Sequence, residues 1–445
     1  MTPTIRDRRF LVIGAGRTGQ SVARFLAAYG GAVRLVERSP AALERATLPP
    51  GIECRVGDDA EDLVRGIDVV IPSPGVAQSH RVLRRAVSRG IPVMSEIELA
   101  ARVLTCPILA VTGTNGKSTT TVLLGGMLEA AGLRVFVGGN LGTPLIEACA
   151  AETEYEAAVV EVSSFQLEWV SSFRPRVGVL LNLTPDHLDR YADMQAYGRA
   201  KAALFGAQRP EDVAVLNRDD PWVWEQRRAT RGASISFGRE PVEFGSFIDG
   251  ETLIYWGPGP AALRFSLQNV ALTGAHNREN MMAAVTAAAI WGVPARAIQQ
   301  ALDHTRPLPH RLELVRERNG VRFFDDSKGT NVGAMQKSIA SFARDVILLA
   351  GGYDKGSDFS VLAPVLRAHV KHLVLFGAAG PKIGSQLNGT VPTSVVSNLA
   401  EAVSAAHACA GAGDTVLLSP GCASFDEFTD YSARGRRFRE LVEAL

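Results

Sequence analysis

Residues 107–121 read PILAVTGTNGKSTTT, and they settle the character of the chain. A short apolar run that stops at a glycine turn reads as a strand buried on both faces. The threonine-rich stretch beyond the turn continues as a helix to about Gly132. Between them lies Gly113-Thr114-Asn115-Gly116-Lys117-Ser118. Backbone amides of such a turn point at an anion, and the positive end of the following helix adds favourable field. Lys117 is placed to reach β- and γ-phosphates and the Ser118 hydroxyl to sit on Mg²⁺. One departure is visible: the full phosphate-loop pattern has glycine five residues before Gly116, where this chain has Val111. The bland alternative is an ordinary strand-to-helix turn.

Outward from this turn, apolar runs alternate with helical segments. Before it come FLVIG (10–14), a helix from about Gly19 to Gly30, VRLVE (33–37), VVIPSPG (69–75) and a helix ending near Gly90. After it come VFVGG (135–139), AAVVEVSS (157–164) and VGVLLNLT (177–184), then a helix over 277–291. Beyond the proline-bracketed RPLPHR (306–311) a third series appears: VRFFDDS (321–327), VILLAGG (346–352), HLVLFG (372–377) and TVLLSPG (415–421). This rhythm predicts an α/β protein of parallel sheets with sites at the carboxyl ends of the strands. With 445 residues and typical domains of ~100–200 residues, three domains are expected, over 1–97, 98–307 and 308–445.

A second glycine pattern, Gly14-Ala15-Gly16-Arg17-Thr18-Gly19, follows the first strand, and Glu37 ends the next. Alone it is a dinucleotide fingerprint with Glu37 on a ribose diol. No hydride-transfer constellation accompanies it. A Rossmann-like domain can hold any diphosphate, so a UDP-linked substrate, a nicotinamide cofactor and a structural turn are the readings it allows. Carboxylate and histidine candidates stand at two strand ends: Glu161 in VVEVSSFQLE, and Asp186, His187 and Asp189 in NLTPDHLDRY. Those positions suit Mg²⁺–phosphate chemistry. His187 also reads as a solvated loop histidine, and Lys201 in Tyr197-x-x-x-Lys201 as a lysine on a solvated helix face.

Composition narrows the partners. Lys+Arg 47 against Asp+Glu 46 gives a net charge of +1, with no long basic tract, so neither nucleic acid nor an anionic membrane is expected. The cysteines Cys54, Cys106, Cys149, Cys409 and Cys422 have no framework spacing and read as reduced, mostly buried thiols of a cytoplasmic protein. The start MTPTIRDRRFLVIGAG reads as the way into a first strand and not as a signal peptide. The most apolar helical stretch, MMAAVTAAAIWGVP (281–294), is shorter than the ~20 residues of a membrane span. Lysine supplies only seven of the 47 basic residues, and four of the seven, Lys117, Lys201, Lys328 and Lys355, fall inside the motifs. A compact ammonium or nucleophilic amine, which arginine cannot replace, is one reason for lysine to persist there.

GTNGKST, GGNLGTP (138–144), EVSSFQLE, LNLTPDHLDRY, Tyr197-x-x-x-Lys201, GAHNREN (274–280), LPHR (308–311), DDSKGTN (325–331), GGYDKGSDF (351–359) and LLSPGCASFDEF (417–428) occur in one order along nearly the whole chain. That set resembles the Mur ligase family, and within it the branch that adds D-glutamate. The resemblance implies an ATP-dependent cytoplasmic ligase, expected as a monomer, that joins D-glutamate to UDP-N-acetylmuramoyl-L-alanine through an acyl phosphate. Its implied domains are an N-terminal UDP-binding domain, a central ATPase and a C-terminal Rossmann-like domain.

It puts Gly113, Thr114, Asn115, Gly116, Lys117, Ser118 and Thr119 on ATP phosphates, Asn280 and His310 on the adenine side, Arg311 on a phosphate and Asp326 on the ribose. Ser118 and Glu161 are implied at one Mg²⁺, and His187 and Lys201 at a second, with the lysine as a CO₂-derived carbamate. Lys328 is implied near the reacting groups. The implied UDP-substrate contacts are Gly16, Arg17, Thr18, Glu37, Arg38, Ser73, Gly75, Asn140 and His187. Those for D-glutamate are Thr330, Lys355, Ser424, Phe425 and Tyr431. At Glu37-Arg38-Ser39 familiar members have Asp-Thr-Arg near uracil, so this chain departs from the pattern there. Other Mur-type ligases, folylpolyglutamate synthetases and a non-enzymatic nucleotide-binding protein are the competing readings.

Overall fold

In the computed structural model, which describes residues 5–257, 259 and 261–445, the alternating runs form three sheets. Residues 1–4, read above as the way into the first strand, lie outside the described residues. The first sheet holds β1 (Arg9–Ile13), β2 (Ala32–Glu37), β3 (Glu53–Val56) and β4 (Val69–Pro72) in the order 3-2-1-4, all parallel. β3 was not visible as an apolar run because it is an edge strand, exposed along its length.

The second sheet holds β5 (Ile108–Thr112), β6 (Val135–Gly139), β7 (Ala157–Glu161), β8 (Val177–Leu180), β9 (Val213–Asn217), β10 (Ala233–Phe237), β11 (Gly245–Asp249), β12 (Thr252–Trp256) and β13 (Leu263–Ser266), ordered 13-12-11-10-9-8-5-7-6. Its parallel core is fully buried in β5, β7 and β8, which is why those strands are continuous apolar runs. β11–β12 and β12–β13 pair antiparallel and extend one edge. β5 lies between β7 and β8, where strand order reverses, so the turn after it opens at a switch point.

The third sheet holds β14 (Glu313–Arg318), β15 (Val321–Asp325), β16 (Val346–Gly351), β17 (Val370–Phe376), β18 (Thr393–Val395) and β19 (Thr415–Gly421) in the order 14-15-19-16-17-18. Only the edge pair β14–β15 is antiparallel among the described strands of this sheet. Side chains alternate across β16: Leu348 and Ala350 enter one core, Ile347 and Leu349 the other. The second of these cores includes Phe438, which seats the last helix, Tyr431–Ala444, against the sheet beside Phe323. Burial of such a side chain contributes roughly 1.5–3 kcal/mol.

The chain divides into two compact units. One comprises Met1–Asn182, Gly198–Val270 and Glu279–His304; the other comprises Leu183–Tyr197, Ala271–Arg278 and Thr305–Leu445. The first contains the first two sheets and the second the third. All five cysteines are free, but only Cys422 is buried; Cys54 and Cys409 are exposed. The expectation of mostly buried thiols is therefore corrected, Cys54 because it sits on the exposed edge strand β3. No described helix is long and apolar enough to cross a membrane.

Candidate active site

The turn after β5 is built by two glycines in backbone conformations that other residues rarely adopt. Gly116, at φ +88°, is the N-cap of the helix Lys117–Ala130, and a Cβ there would stand 2.1 Å from the Asn280 side-chain oxygen. Gly113, at φ +153°, would bring one within 2.9 Å of Leu181 Cβ. Asn182 clamps the turn by accepting from the Asn115 N–H at 2.9 Å and donating to the Asn115 carbonyl at 3.1 Å. Thr114 N–H reaches the Asn182 carbonyl at 3.0 Å. Asn182 was not singled out from sequence, although it lies inside the LNLTPDH motif. Val111, where the longer pattern has glycine, is a buried residue of β5, so the turn is shorter because the strand runs further.

Lys117 Nζ donates to the carbonyls of Gly113 at 3.1 Å and Thr114 at 2.8 Å. Lys201 lies on the helix Met194–Ala202 and is only 1% exposed, with Nζ donating to the same Gly113 carbonyl at 2.8 Å. It is not on a solvated face. Two ammonium groups thus converge on one peptide oxygen of the phosphate-type turn. Glu161 is buried at the end of β7 and accepts from the Asn140 side chain at 2.7 Å, so the GGNLGTP loop is tied to it. Ser118 and Thr119 are buried in the first turn of the helix.

Beside β1, Gly14 (φ +100°) packs against Ser73, and a Cβ on Gly19 would stand 1.8 Å from the Gly14 carbonyl. Glu37 accepts the N–H of Ala15 at 2.9 Å, Arg38 at 2.8 Å and Ser39 at 3.2 Å. Burial alone would raise its pKa, but these amides and the Arg38 charge outweigh it and hold the carboxyl below its ordinary range. A cavity of about 480 Å³ opens here, lined among others by Gly14, Glu37, Arg38, Asp58, Gly75 and His80. Gly16, Arg17, Thr18, Ser73 and Asn140 are not in its lining. Arg17 instead donates to the Gly142 carbonyl at 2.9 Å, joining the first sheet's glycine turn to the GGNLGTP loop.

In the second unit, Asp186 accepts from Lys355 Nζ at 2.6 Å and Asn331 Nδ2 at 3.0 Å. Its burial would raise its pKa, but Lys355, His187 and these hydrogen bonds lower it. His187 takes a left-handed backbone, φ +58°, and its ring stands edge-on to Tyr197. Asp326 is buried at the end of β15, where Ser338 Oγ at 2.6 Å and Ser419 Oγ at 2.8 Å both donate to Oδ2. Desolvation pushes its pKa up to about 6. His310 Nδ1 meets Asp325 Oδ2 at 2.6 Å, and Arg311 follows it in the chain.

Lys328 Nζ stands 3.8 Å over the Tyr431 ring. Burial would raise the Tyr431 pKa, and Lys328 reverses this and lowers it. Ser424 is buried, Phe425 is 70% exposed and Thr330 is half-buried. Sequence reasoning missed Arg434, which is fully buried and donates to Ser327, Cys422 and Ala423; burial pushes its pKa down to about 10. An arginine on a charged helix carries no sequence signal that it points inward.

Parallel sheets with glycine turns at their switch points, one opening a helix with a lysine at its first position, define a multidomain α/β protein of nucleotide-binding type. Three family models match successive segments: the Mur ligase MurD-like N-terminal domain over 8–95, the Mur ligase middle domain over 111–288, and the Mur ligase glutamate ligase domain over 310–422. The chain belongs to the Mur ligase family. It is 44% identical to the UDP-N-acetylmuramoylalanine–D-glutamate ligase of Syntrophus aciditrophicus, over 99% of each chain. To the ligase of that name from Anaeromyxobacter dehalogenans it is 46% identical, over 99% of this chain and 98% of that one. Among solved structures, the UDP-N-acetylmuramate-alanine ligase of Thermotoga maritima shares the fold at a TM-score of 0.61 and 18% identity, over 98% of this chain and 99% of that one. Escherichia coli FolC, solved with DHPP and ADP, gives 0.58 at 19% identity, over 79% and 93%.

Proposed function

We propose that this chain is an ATP-dependent ligase that adds D-glutamate to UDP-N-acetylmuramoyl-L-alanine through an acyl phosphate, in cytoplasmic peptidoglycan precursor synthesis, and that it acts as a monomer. The observation that carries this reading is the 44% identity over 99% of both chains with a relative named for that reaction. The domains are taken as 1–97 for the UDP-substrate, 98–307 for ATP and 308–445 for the amino acid.

The turn Gly113–Ser118 holds ATP phosphates on its amides, and Lys117, already at its rim, neutralises charge as the γ-phosphoryl group moves to the L-alanine carboxylate. The amine of D-glutamate then attacks the acyl-phosphate carbonyl, and phosphate leaves to give the amide. Asn280, His310, Arg311 and Asp326 serve the rest of ATP. Glu37 spends its carboxylate on three amides of its own loops, so uracil recognition falls to other groups lining that cavity, Arg38 among them. Lys355, Thr330, Ser424, Phe425 and Tyr431 surround the acceptor, whose two carboxylates suit a cation and hydroxyls.

The donor set fits Mg²⁺: Ser118 and Glu161 offer hard oxygen ligands from buried positions, one in the first turn of the helix that follows β5 and the other at the end of the neighbouring strand β7. Mg²⁺ there would offset phosphate charge. A second ion is assigned to His187 and Lys201. As an ammonium, Lys201 offers a metal no lone pair, whereas a carbamate formed from its neutral amine and CO₂, with loss of a proton, offers oxygen. Phosphate release with UDP-N-acetylmuramoyl-L-alanine and ATP, measured against D-glutamate, L-glutamate, L-alanine and meso-diaminopimelate, tests the reading. Release dependent on D-glutamate supports it; release driven by another acceptor overturns it.

A further inference from the structure

The C-terminal helix Tyr431–Ala444 places Arg434 wholly inside the protein. Burying a guanidinium is costly unless its donors are met. Here Nε donates to Ser327 Oγ at 2.9 Å, Nη2 to the carbonyls of Ser327 at 2.8 Å and Cys422 at 3.1 Å, and Nη1 to the carbonyl of Ala423 at 3.1 Å. The fork thereby joins the loop after β15 to the loop after β19. A lysine ammonium, a single point on a flexible stem, does not present that planar fork.

A planar trans peptide sets its N–H opposite its C=O. Each carbonyl drawn onto Arg434 therefore aims the next N–H away from it. Two of these three amides are used within the protein: Lys328 N–H reaches the His310 carbonyl at 3.1 Å, and Ala423 N–H the Tyr353 carbonyl at 3.0 Å. The third, Ser424 N–H, makes no hydrogen bond among the described residues. That N–H, pointed away from Arg434 and unused by the chain, is available to an acceptor from outside it, with the hydroxyl of the same residue beside it.

We propose that Arg434 is a positioning residue for the acceptor amino acid: by holding the Ala423 carbonyl it aims the Ser424 N–H and hydroxyl at a substrate carboxylate, and by holding Ser327 it fixes the loop of Lys328 and Thr330. The proposal rests on the acceptor reading given above. Arg434 touches no substrate and acts through these two loops.

Steady-state kinetics of the intact enzyme with Arg434→Met and Arg434→Lys test it, each substrate varied in turn. The KM for D-glutamate is expected to rise at least about tenfold, the scale of a lost charge-assisted hydrogen bond. The KM values for ATP and UDP-N-acetylmuramoyl-L-alanine should stay within about twofold. Lysine should not restore the D-glutamate KM. A uniform shift of all three constants, or an unchanged D-glutamate KM, overturns the proposal. If neither variant folds, Ser327→Ala decides by the same criterion, since it removes the acceptor of Nε and leaves the charge in place. Wild-type enzyme that releases phosphate without regard to D-glutamate overturns the acceptor reading, and the proposal with it. D-glutamate-dependent wild-type enzyme with insensitive variants overturns the proposal alone.

Discussion

At the residue scale the two lysines on the Gly113 carbonyl are the most informative pair. Sequence placed Lys117 by its turn, because glycines, strand and helix surround it. It could not separate a buried Lys201 from a solvated one, because a nine-residue helix reading MQAYGRAKA has no strong apolar face. Burial of Lys201 is imposed by the packing around it. We expect Lys201→Ala to lose activity by at least about a hundredfold, the upper end of what disturbing a metal site's support costs. Added formate should restore part of it by supplying an oxygen anion, and Lys201→Arg should stay inactive, as assayed by D-glutamate-dependent phosphate release. Near-normal turnover by Lys201→Arg would count against the carbamate. Lys117→Ala should abolish ligation yet leave UDP-substrate affinity within about twofold by calorimetry, since that cavity is formed at the first sheet.

At the element scale, the turn after β5 depends on Gly116. Alanine there must accept a left-handed backbone, at roughly 1–2 kcal/mol, and displace Asn280. We expect Gly116→Ala to weaken ATP binding at least about tenfold, with UDP-substrate affinity retained; unchanged nucleotide affinity in a titration would refute the turn's role.

The helix Glu96–Val103 carries a pH effect. Glu96 is buried, accepts from the Ile146 N–H at 2.6 Å, and has its pKa pushed by desolvation from 4.5 to about 7. Between those values the folded state keeps a proton that the unfolded state has released, so stability falls as pH rises and levels off above pH 7, a loss of ~3 kcal/mol. Glu96→Gln should therefore be more stable than wild type in urea at pH 8, by a margin that shrinks at pH 5. A margin independent of pH would show that Glu96 is already ionised in the fold. Neither Glu96 nor Glu98 could be read from sequence as buried, because both sit among ordinary helix formers. Strands were legible where they are continuous apolar runs: TVLLSPG matches the fully buried β19 end to end, and VFVGG matches the partly buried edge strand β6. β10 to β13, β14 and β18 were not, since most of these lie toward sheet edges with short or mixed patterns, and the interior strand β9, VAVLN, was missed although it is apolar.

At the scale of the whole molecule, three α/β domains were legible as three strand series, but the two discontinuous units were not, since no local pattern marks which distant segment a loop packs with. Leu183–Tyr197 and Ala271–Arg278 belong with Thr305–Leu445. Asp186 is held there by Lys355 and Asn331. A fragment ending at residue 307 should therefore be cut within 183–197 far more readily than the full chain in limited proteolysis, and equal resistance would contradict the assignment.

The same discontinuity sets an order of events while the chain is being made. Asp186 leaves the ribosome 169 residues ahead of the lysine that will hold it. At ~5–20 residues per second that gap lasts roughly 10 to 30 seconds. For that interval a segment bearing a carboxylate and a histidine waits without Lys355, so the second unit can form only after the last third of the message has been read.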